Sequence, residues 1–428
     1  MSRVAAAQFA AGTDAAVNLL ACLRAIDAAA EAGAELVVLP EFCNHLSWYA
    51  DRTHARREAR RLGDDFLTAV AGRAARHRVY VKIGVSLART DGRTTATSLL
   101  YGPDGDLLAE SDKQVLMGAE NDYFDAGSSD SAVVDTPLGR LGMYACMEGV
   151  INEVTRSLAV RGAQILLNSL NSFAVDEASL HVPVRAAENK CWVVAANKVG
   201  PLLPAEHLPE IAAKLGVPAD RLHGAGESQI VAPDGTVVAI APPTGEAIVV
   251  ADIDPARADD KRRPDGTDLL AMRRPEIYGP LGDCGARTAP PGAETLPVAA
   301  VRPEPALIAE AARSGAGLIV LPELAPITVD AVSAALAGTD AYAVFSRRDG
   351  PAHHGLLVSA DGGAGRQPQL HATARHPWLT ELGDGLRLFD LPWGRLAVVV
   401  GDDALLPESF RLAVVADADV VAVPHSPS

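Results

Sequence analysis

The sequence predicts a layered α/β protein with mixed sheets, and three observations carry that prediction. Strand-like apolar runs alternate with Ala-rich amphipathic stretches, Pro-Asp-Gly turns reverse the chain between strands, and one strand-and-helix pattern occurs twice. With 428 residues, 48% of them hydrophobic and 21% charged, there is material for more than one ordinary core.

The elements follow in order. "RVAAAQF" opens on a strand, residues 16–32 have helical spacing, and "AELVVLPEF" is a second strand. Residues 60–77 predict another helix, and "VYVKIGVSL" another strand. "TSLLYGPDGDLLAESDK" then reads as a hairpin around Gly102 to Gly105, and "APDGT" (232–236) as a second tight reversal. Hairpins among strand-helix crossovers make the sheets mixed rather than all parallel.

"CGARTAPPGAETLP" (284–297) has linker composition, so the chain divides into residues 1–282, a linker over 283–297, and a second unit over 298–428. In that second unit "SGAGLIVLPEL" repeats "AGAELVVLPEF", and "LPWGRLAVVVGDDALLPESFRLAVVADADVVA" aligns without gaps on "TPLGRLGMYACMEGVINEVTRSLAVRGAQILL". Gly139 matches Gly394, Glu153 matches Glu408, and Cys146 falls on Gly401. The copy is shorter and partial. Its sheet edge then needs covering by the first unit or by another chain, which predicts an intrachain pseudo-dimer or a homo-oligomer.

Composition excludes several classes. Asp and Glu number 54 against 38 Lys and Arg, a net charge of −16, so no basic face is available for nucleic acid. No apolar run approaches the roughly 20 residues that span a bilayer. "MSRVAAAQFAAG" carries no signal-peptide pattern, and the expectation is a cytoplasmic protein. The five cysteines (Cys22, Cys43, Cys146, Cys191, Cys284) are odd in number and irregularly spaced, which supports neither a disulfide framework nor a zinc site.

Three apolar runs of the first unit end in reactive side chains: Glu41 after "ELVVLP", Lys113 after "DLLAESD", and Cys146 after "GRLGMYA". Strand ends are where α/β sheets place chemistry. Each residue alone has a plainer reading, as a turn carboxylate, a surface lysine and a small core residue. Together they suffice for acyl transfer: a thiol to attack, a carboxylate to move protons, and an ammonium to hold developing negative charge.

Residues 1–282 resemble the nitrilase, or carbon–nitrogen hydrolase, superfamily. The resemblance rests on "VVLPEF", "SDKQVL" and "YACMEG", and on the ordered segments "KQVLMGAENDYFDAG", "RGAQILLNSLNSF", "RAAENKCWVVAANKVG", "GESQIVAPDGT" and "DLLAMRRPEIYGPL". It implies a four-layer α-β-β-α sandwich, with a partial repeat of the same fold at the C-terminus. It also implies a Glu41-Lys113-Cys146 triad working through a thioester, without metal or organic cofactor. Glu41 would be the general base, and Lys113 and the backbone N–H of Met147 would hold the oxyanion. Glu120 would orient Lys113 or the leaving nitrogen. Both members of the Glu41–Lys113 pair should stay charged, and the cation should lower the thiol's pKa.

Glu148, Asn171 and Phe173 are further candidates for the substrate pocket, although Glu148 also reads as a carboxylate bonding nearby backbone. His45 and His181 read as hydrogen-bonded or surface histidines. Residues 200–226 have room for a helix over 209–215 and form an insertion beside the site. The implied substrate is a small-molecule amide. A nitrile, an N-carbamoyl compound, acyl transfer to an acceptor other than water, and an assembly scaffold for the C-terminal half stay open. The second copy, with Gly401 at the nucleophile position and Arg375 as its nearest basic substitute, cannot run the thiol mechanism.

Overall fold

The computed structural model describes residues 1–282 and 289–426. Residues 283–288 of the expected linker, Cys284 included, lie outside the described residues. The chain forms two units, Met1–Lys261 and Arg262–Ser428, so residues 262–282 group with the second.

In the first unit the strands are β1 (Ser2–Gln8), β2 (Leu36–Val38), β3 (Tyr80–Ala88), β4 (Thr94–Tyr101), β5 (Leu107–Asp112), β6 (Val133–Thr136), β7 (Gly139–Ala145), β8 (Ile165–Ser169), β9 (Trp192–Ala196), the short pair β10 (Val199–Pro201) and β11 (His223–Ala225), then β12 (Gln229–Val231), β13 (Val237–Ile240) and β14 (Ala247–Ile253). Its helices are α1 (Ala15–Glu31), α2 (Arg52–Glu58), α3 (Asp65–His77), α4 (Glu120–Tyr123), α5 (Met147–Val150), α6 (Glu153–Val160), α7 (Val182–Asn189) and α8 (Leu208–Leu215).

Two six-stranded sheets result. One runs β14-β1-β2-β3-β4-β5 with β1, β2 and β3 parallel, and the other runs β13-β12-β9-β8-β7-β6 with β7, β8 and β9 parallel. Strand alternation decides which core each residue joins. On β1, Val4 and Ala6 enter the core between the sheets, whereas Ala5 and Ala7 face the core that α1 and α3 cover with Ile26 and Val70. On β8, Ile165 and Leu167 point between the sheets and Leu166 points outward to Leu158 of α6 and Ala186 of α7. The layering is therefore α-β-β-α.

Local chemistry sets the element ends. Asp14 caps α1 by accepting from Ala16 N at 2.8 Å and Val17 N at 3.2 Å. The helix expected over 60–77 starts five residues later than that, and a separate helix, α2, precedes it. Gly63 takes a left-handed φ of 80°, Asp64 caps Leu67 N at 2.9 Å, and α3 begins only at Asp65, after the separate α2. Residues 60–64, Arg-Arg-Leu-Gly-Asp, form the turn before it, which glycine and aspartate jointly make.

The second unit has β15 (Val298–Ala300), β16 (Leu318–Val320), β17 (Tyr342–Asp349), β18 (Ala352–Ser359) and β19 (Gly362–Pro368) in one sheet, in that order, and β20 (Leu388–Leu391), β21 (Gly394–Val398) and β22 (Val420–Ala422) in another. β15, β16 and β17 are parallel and β18 and β19 follow antiparallel, which is the pairing of β1 to β5. β20 to β22 likewise pair as β6 to β8 do. Leu318, Val344, Leu357, Leu396, Val398 and Val400 fill the space between the two sheets. Of its helices α9 (Pro305–Arg313), α10 (Val329–Leu336) and α11 (Pro407–Val415), the first two cover the outer face of the larger sheet.

Candidate active site

The end of β8 is the hinge pin of the site. Cys146 N donates to Ser169 O at 3.0 Å and to Asn168 Oδ1 at 3.1 Å, while Glu41 N donates to Leu170 O at 3.1 Å. Ser169 Oγ also donates to Leu39 O at 2.5 Å. The turn carrying Glu41 belongs to one sheet and the turn carrying Cys146 to the other, and consecutive residues at the end of β8 hold both. Gly84 on β3 makes this approach feasible: a Cβ there would lie 2.8 Å from Glu41 Cα and 3.0 Å from Pro40 O. Gly84→Ala is therefore expected to destabilise the fold by about 1–3 kcal/mol and to displace Glu41. Denaturant titration and turnover measure the two effects; an unshifted midpoint with full activity would contradict the account of this contact.

Lys113 is the first residue after β5, and its ammonium is fully inside. Nζ donates to Glu41 Oε1 at 2.9 Å, Glu120 Oε1 at 3.0 Å and Glu120 Oε2 at 2.8 Å. Glu120 stands at the start of α4 and also accepts from Met117 N at 2.8 Å. Burial pulls the Lys113 pKa down, but the two carboxylates outweigh it and the ammonium keeps its proton. One cation thus serves two anions.

Glu41 is pushed up to about 7, because burial disfavours its charge more than Lys113 restores it. Its Oε2 has no hydrogen-bond partner. Burial thus works against the expectation that both members of the pair stay charged, and it does so at the glutamate.

Cys146 directly follows β7 with φ 47° and ψ −107°, a positive-φ conformation that a non-glycine residue holds only under constraint. The sequence suggested a lowered thiol pKa, and the structure gives the opposite direction. Burial raises it, the Glu41 charge raises it further, and Lys113 only partly opposes them. The thiol thus keeps its proton until a base removes it.

Met147 begins α5 directly after the thiol. Glu148 braces the turn from below: Oε1 accepts from Gln114 N at 2.7 Å and Oε2 from Ala145 N at 2.9 Å. The backbone-bonding reading of this carboxylate describes those bonds. It ties the loop after Lys113 to the strand before Cys146. Asn171 donates from Nδ2 to Ser47 Oγ at 2.9 Å, leaving Oδ1 buried without a partner, and Phe173 is half-buried two residues on. His45 is buried against Tyr49, with Nδ1 2.8 Å from Leu46 O, and His181 lies 3.6 Å from Asp176.

The insertion does contain a helix, α8, which ends on a left-handed Gly216. Just before it His207 stacks on Trp48 at 4.1 Å, and Ser47 Oγ donates to Leu202 O at 3.4 Å. The insertion therefore rests on the loop that follows Glu41.

Three buried ionisable residues here escaped the sequence reading. Lys82 on β3 donates to Tyr144 O of the facing sheet at 3.1 Å, and burial pulls its pKa down to about 7. Lys198 Nζ lies 5.9 Å from the Phe42 ring centroid, its pKa lowered by burial to about 8. Glu177 accepts from Ser172 Oγ at 3.1 Å, and burial raises it to about 7. A lysine inside the apolar run "VYVKIGVSL" was the available signal for the first.

A four-layer α-β-β-α sandwich that brings a thiol, a carboxylate and an ammonium near converging strand ends defines a nitrilase-type fold. The family model described as carbon-nitrogen hydrolase matches residues 3–263, and the chain belongs to that family. It is 28% identical over 255 residues to a nitrilase of Pyrococcus abyssi, an alignment covering 59% of this chain and 89% of that one. To the chloroplastic omega-amidase of Arabidopsis thaliana it is 27% identical over 281 residues, 61% of this chain and 69% of the relative. Other relatives are spanned over about half their length. Among solved structures, a mutant of the Nesterenkonia AN1 amidase from the nitrilase superfamily superposes with a TM-score of 0.53 at 22% identity, over 65% of this chain and 95% of the other. No helix among the described residues is long and apolar enough to cross a membrane.

Proposed function

We propose that the first unit hydrolyses a small-molecule amide through a thioester on Cys146. The observation that carries this reading is the Glu41 carboxylate: one oxygen is fixed by Lys113 and the other is buried without a partner, with a pKa near 7. Such a group both takes and returns a proton at neutral pH.

In the proposed cycle Glu41 takes the thiol proton as Sγ attacks the carbonyl carbon. The oxyanion is held by the Lys113 ammonium and the Met147 N–H. Collapse breaks the C–N bond, and Glu41 returns its proton to the leaving nitrogen, releasing ammonia or an amine. Water then attacks the thioester carbon while Glu41 takes its proton. The second collapse expels the sulfur, which regains that proton, and the carboxylic acid departs. Glu120 keeps Lys113 in place. Asn171 and Phe173 line the substrate side, and the α8 insertion, resting on the Trp48 loop, shapes what enters.

A nitrile is the second reading, because the same thiol and base serve it and the relatives named above include a nitrilase. An ammonia-release screen over aliphatic amides, ω-amides of dicarboxylic acids, N-carbamoyl compounds and nitriles separates the two. Release from amides supports the proposal, and release from nitriles alone replaces it with the second reading. Silence across the panel overturns hydrolysis and favours transfer to another acceptor.

For the second unit we propose a partial, catalytically degenerate repeat of the first. The shared strand order supports this, as do matching left-handed residues: Leu324 at φ 49° as at Phe42, and Gly401 at φ 52° where Cys146 has 47°. Arg375 donates to both Glu323 oxygens at 2.7 Å, where the first unit has Lys113 on Glu41.

A further inference from the structure

The degenerate site of the second unit holds more ionisable groups than a vestige needs. Arg375 Nη2 contacts both oxygens of Glu323 and also Asp402 Oδ1 at 2.6 Å, and Ser426 N donates to Glu323 Oε2 at 3.1 Å. Two buried carboxylates share one guanidinium, which leaves one negative charge in excess. Facing them are two imidazole nitrogens without hydrogen-bond partners. His376 Nδ1 lies 3.9 Å from Glu323 Oε1, and His425 Nδ1 lies 3.9 Å from Glu323 Oε2 and 4.0 Å from Asp402 Oδ1. His376 is only 7% exposed.

His353, fully buried, completes the group: one ligand atom each from Glu323, His353 and His376 lie within 4.8 Å of one another. Gln369 donates through Nε2 to His371 O at 2.8 Å, which turns its Oε1 toward His353 Nδ1, 2.6 Å away. Nδ1 therefore carries the proton, and the Nε2 lone pair accepts from Ser346 Oγ at 2.8 Å, a hydroxyl that a metal on Nε2 would have to displace. That is the tautomer in which metal-binding histidines are held by their outer partners. Gly401 leaves room between these groups, since a Cβ there would lie 2.4 Å from Glu323 Oε1 and 3.2 Å from His353 Cε1.

We propose that Glu323, His353 and His376 bind a divalent transition metal of the zinc class, with His425 as a fourth ligand and Arg375 holding the place of the cation in its absence. Two imidazoles and a carboxylate suit zinc, whose tetrahedral ligands stand about 3.4 Å apart. The ligand atoms of Glu323, His353 and His376, within 4.8 Å of one another, close to that spacing as Arg375, 19% exposed along its side chain, swings outward and admits His425.

The test uses the full chain with Cys146→Ala, so that the thiol of the first unit adds no ligand. After chelator treatment and dialysis it is titrated with Zn²⁺ by calorimetry and with Co²⁺ by visible absorption. The expected result is one equivalent of Zn²⁺, tetrahedral Co²⁺ absorption, and an affinity lowered at least about tenfold by His376→Ala and by Glu323→Gln. Arg375→Gln, which keeps both carboxylates and removes their competing cation, should raise the affinity. Binding well below one equivalent, or affinities unmoved in the first two variants, would overturn the proposal. Should those two fail to fold by circular dichroism, Arg375→Gln decides: unchanged or weaker Zn²⁺ binding in that folded variant overturns it as well.

Discussion

Cys146→Ala is expected to lower amide turnover by about 10⁴-fold or more while leaving the fold intact, as measured by ammonia release and by the unfolding midpoint. The rate falls because sulfur is the atom that bonds to the substrate carbon. The fold survives because the side chain removed is small and its backbone N–H keeps the bonds to Ser169 and Asn168. The left-handed backbone at this position tolerates alanine no worse than cysteine. A variant that retains even a tenth of wild-type turnover would mean that the nucleophile is another group.

Glu41→Gln is the second large effect. A glutamine amide oxygen still accepts from Lys113, so the ion cluster keeps its shape, but no group is left to take the thiol proton. A loss of about 10²- to 10⁴-fold is expected. The variant also changes the pH profile, which separates base catalysis from mere positioning. In the wild type the carboxylate form is the active one, so kcat/KM should rise with pH through about 7, the value to which burial pushes Glu41. Below that value the carboxyl is protonated and cannot accept. Glu41→Gln should have no such rising limb, and a limb that persists in the variant would assign it to some other group.

Both predictions depend on how far the sequence could be read. Glu41, Lys113 and Cys146 each end an apolar run, and the structure puts Lys113 and Cys146 directly past β5 and β7 and Glu41 three residues past β2. Strand ends are legible because side-chain alternation marks the strand and a polar residue marks its stop. Proton affinities were not legible in this way. A chain shows that a lysine and a glutamate will meet a thiol, but not that all three will be buried, and here burial is the leading cause of the shift for both Glu41 and Cys146.

Glu148 makes the same point through hydrogen bonds. Its partners, Gln114 N in the loop after β5 and Ala145 N at the end of β7, meet only when the sheets pack. Likewise His353 and His376 follow no short ligand motif in the sequence, and only the folding of β18 and the loop after β19 brings them to Glu323. The start of α3 was placed too early, at residue 60, for a different reason. The markers of the turn before it, Gly63 and Asp64, were present in the sequence and went unread.

The most direct measurement of the central claim is the mass of the enzyme during turnover. Rapid acid quench with a slowly hydrolysed amide, followed by peptide mapping, should find the acyl mass on the peptide carrying Cys146, and Glu41→Gln should slow its loss to water. Steady ammonia release with no acyl mass on Cys146 at any time, or an acyl mass on a different residue, would contradict the thioester mechanism.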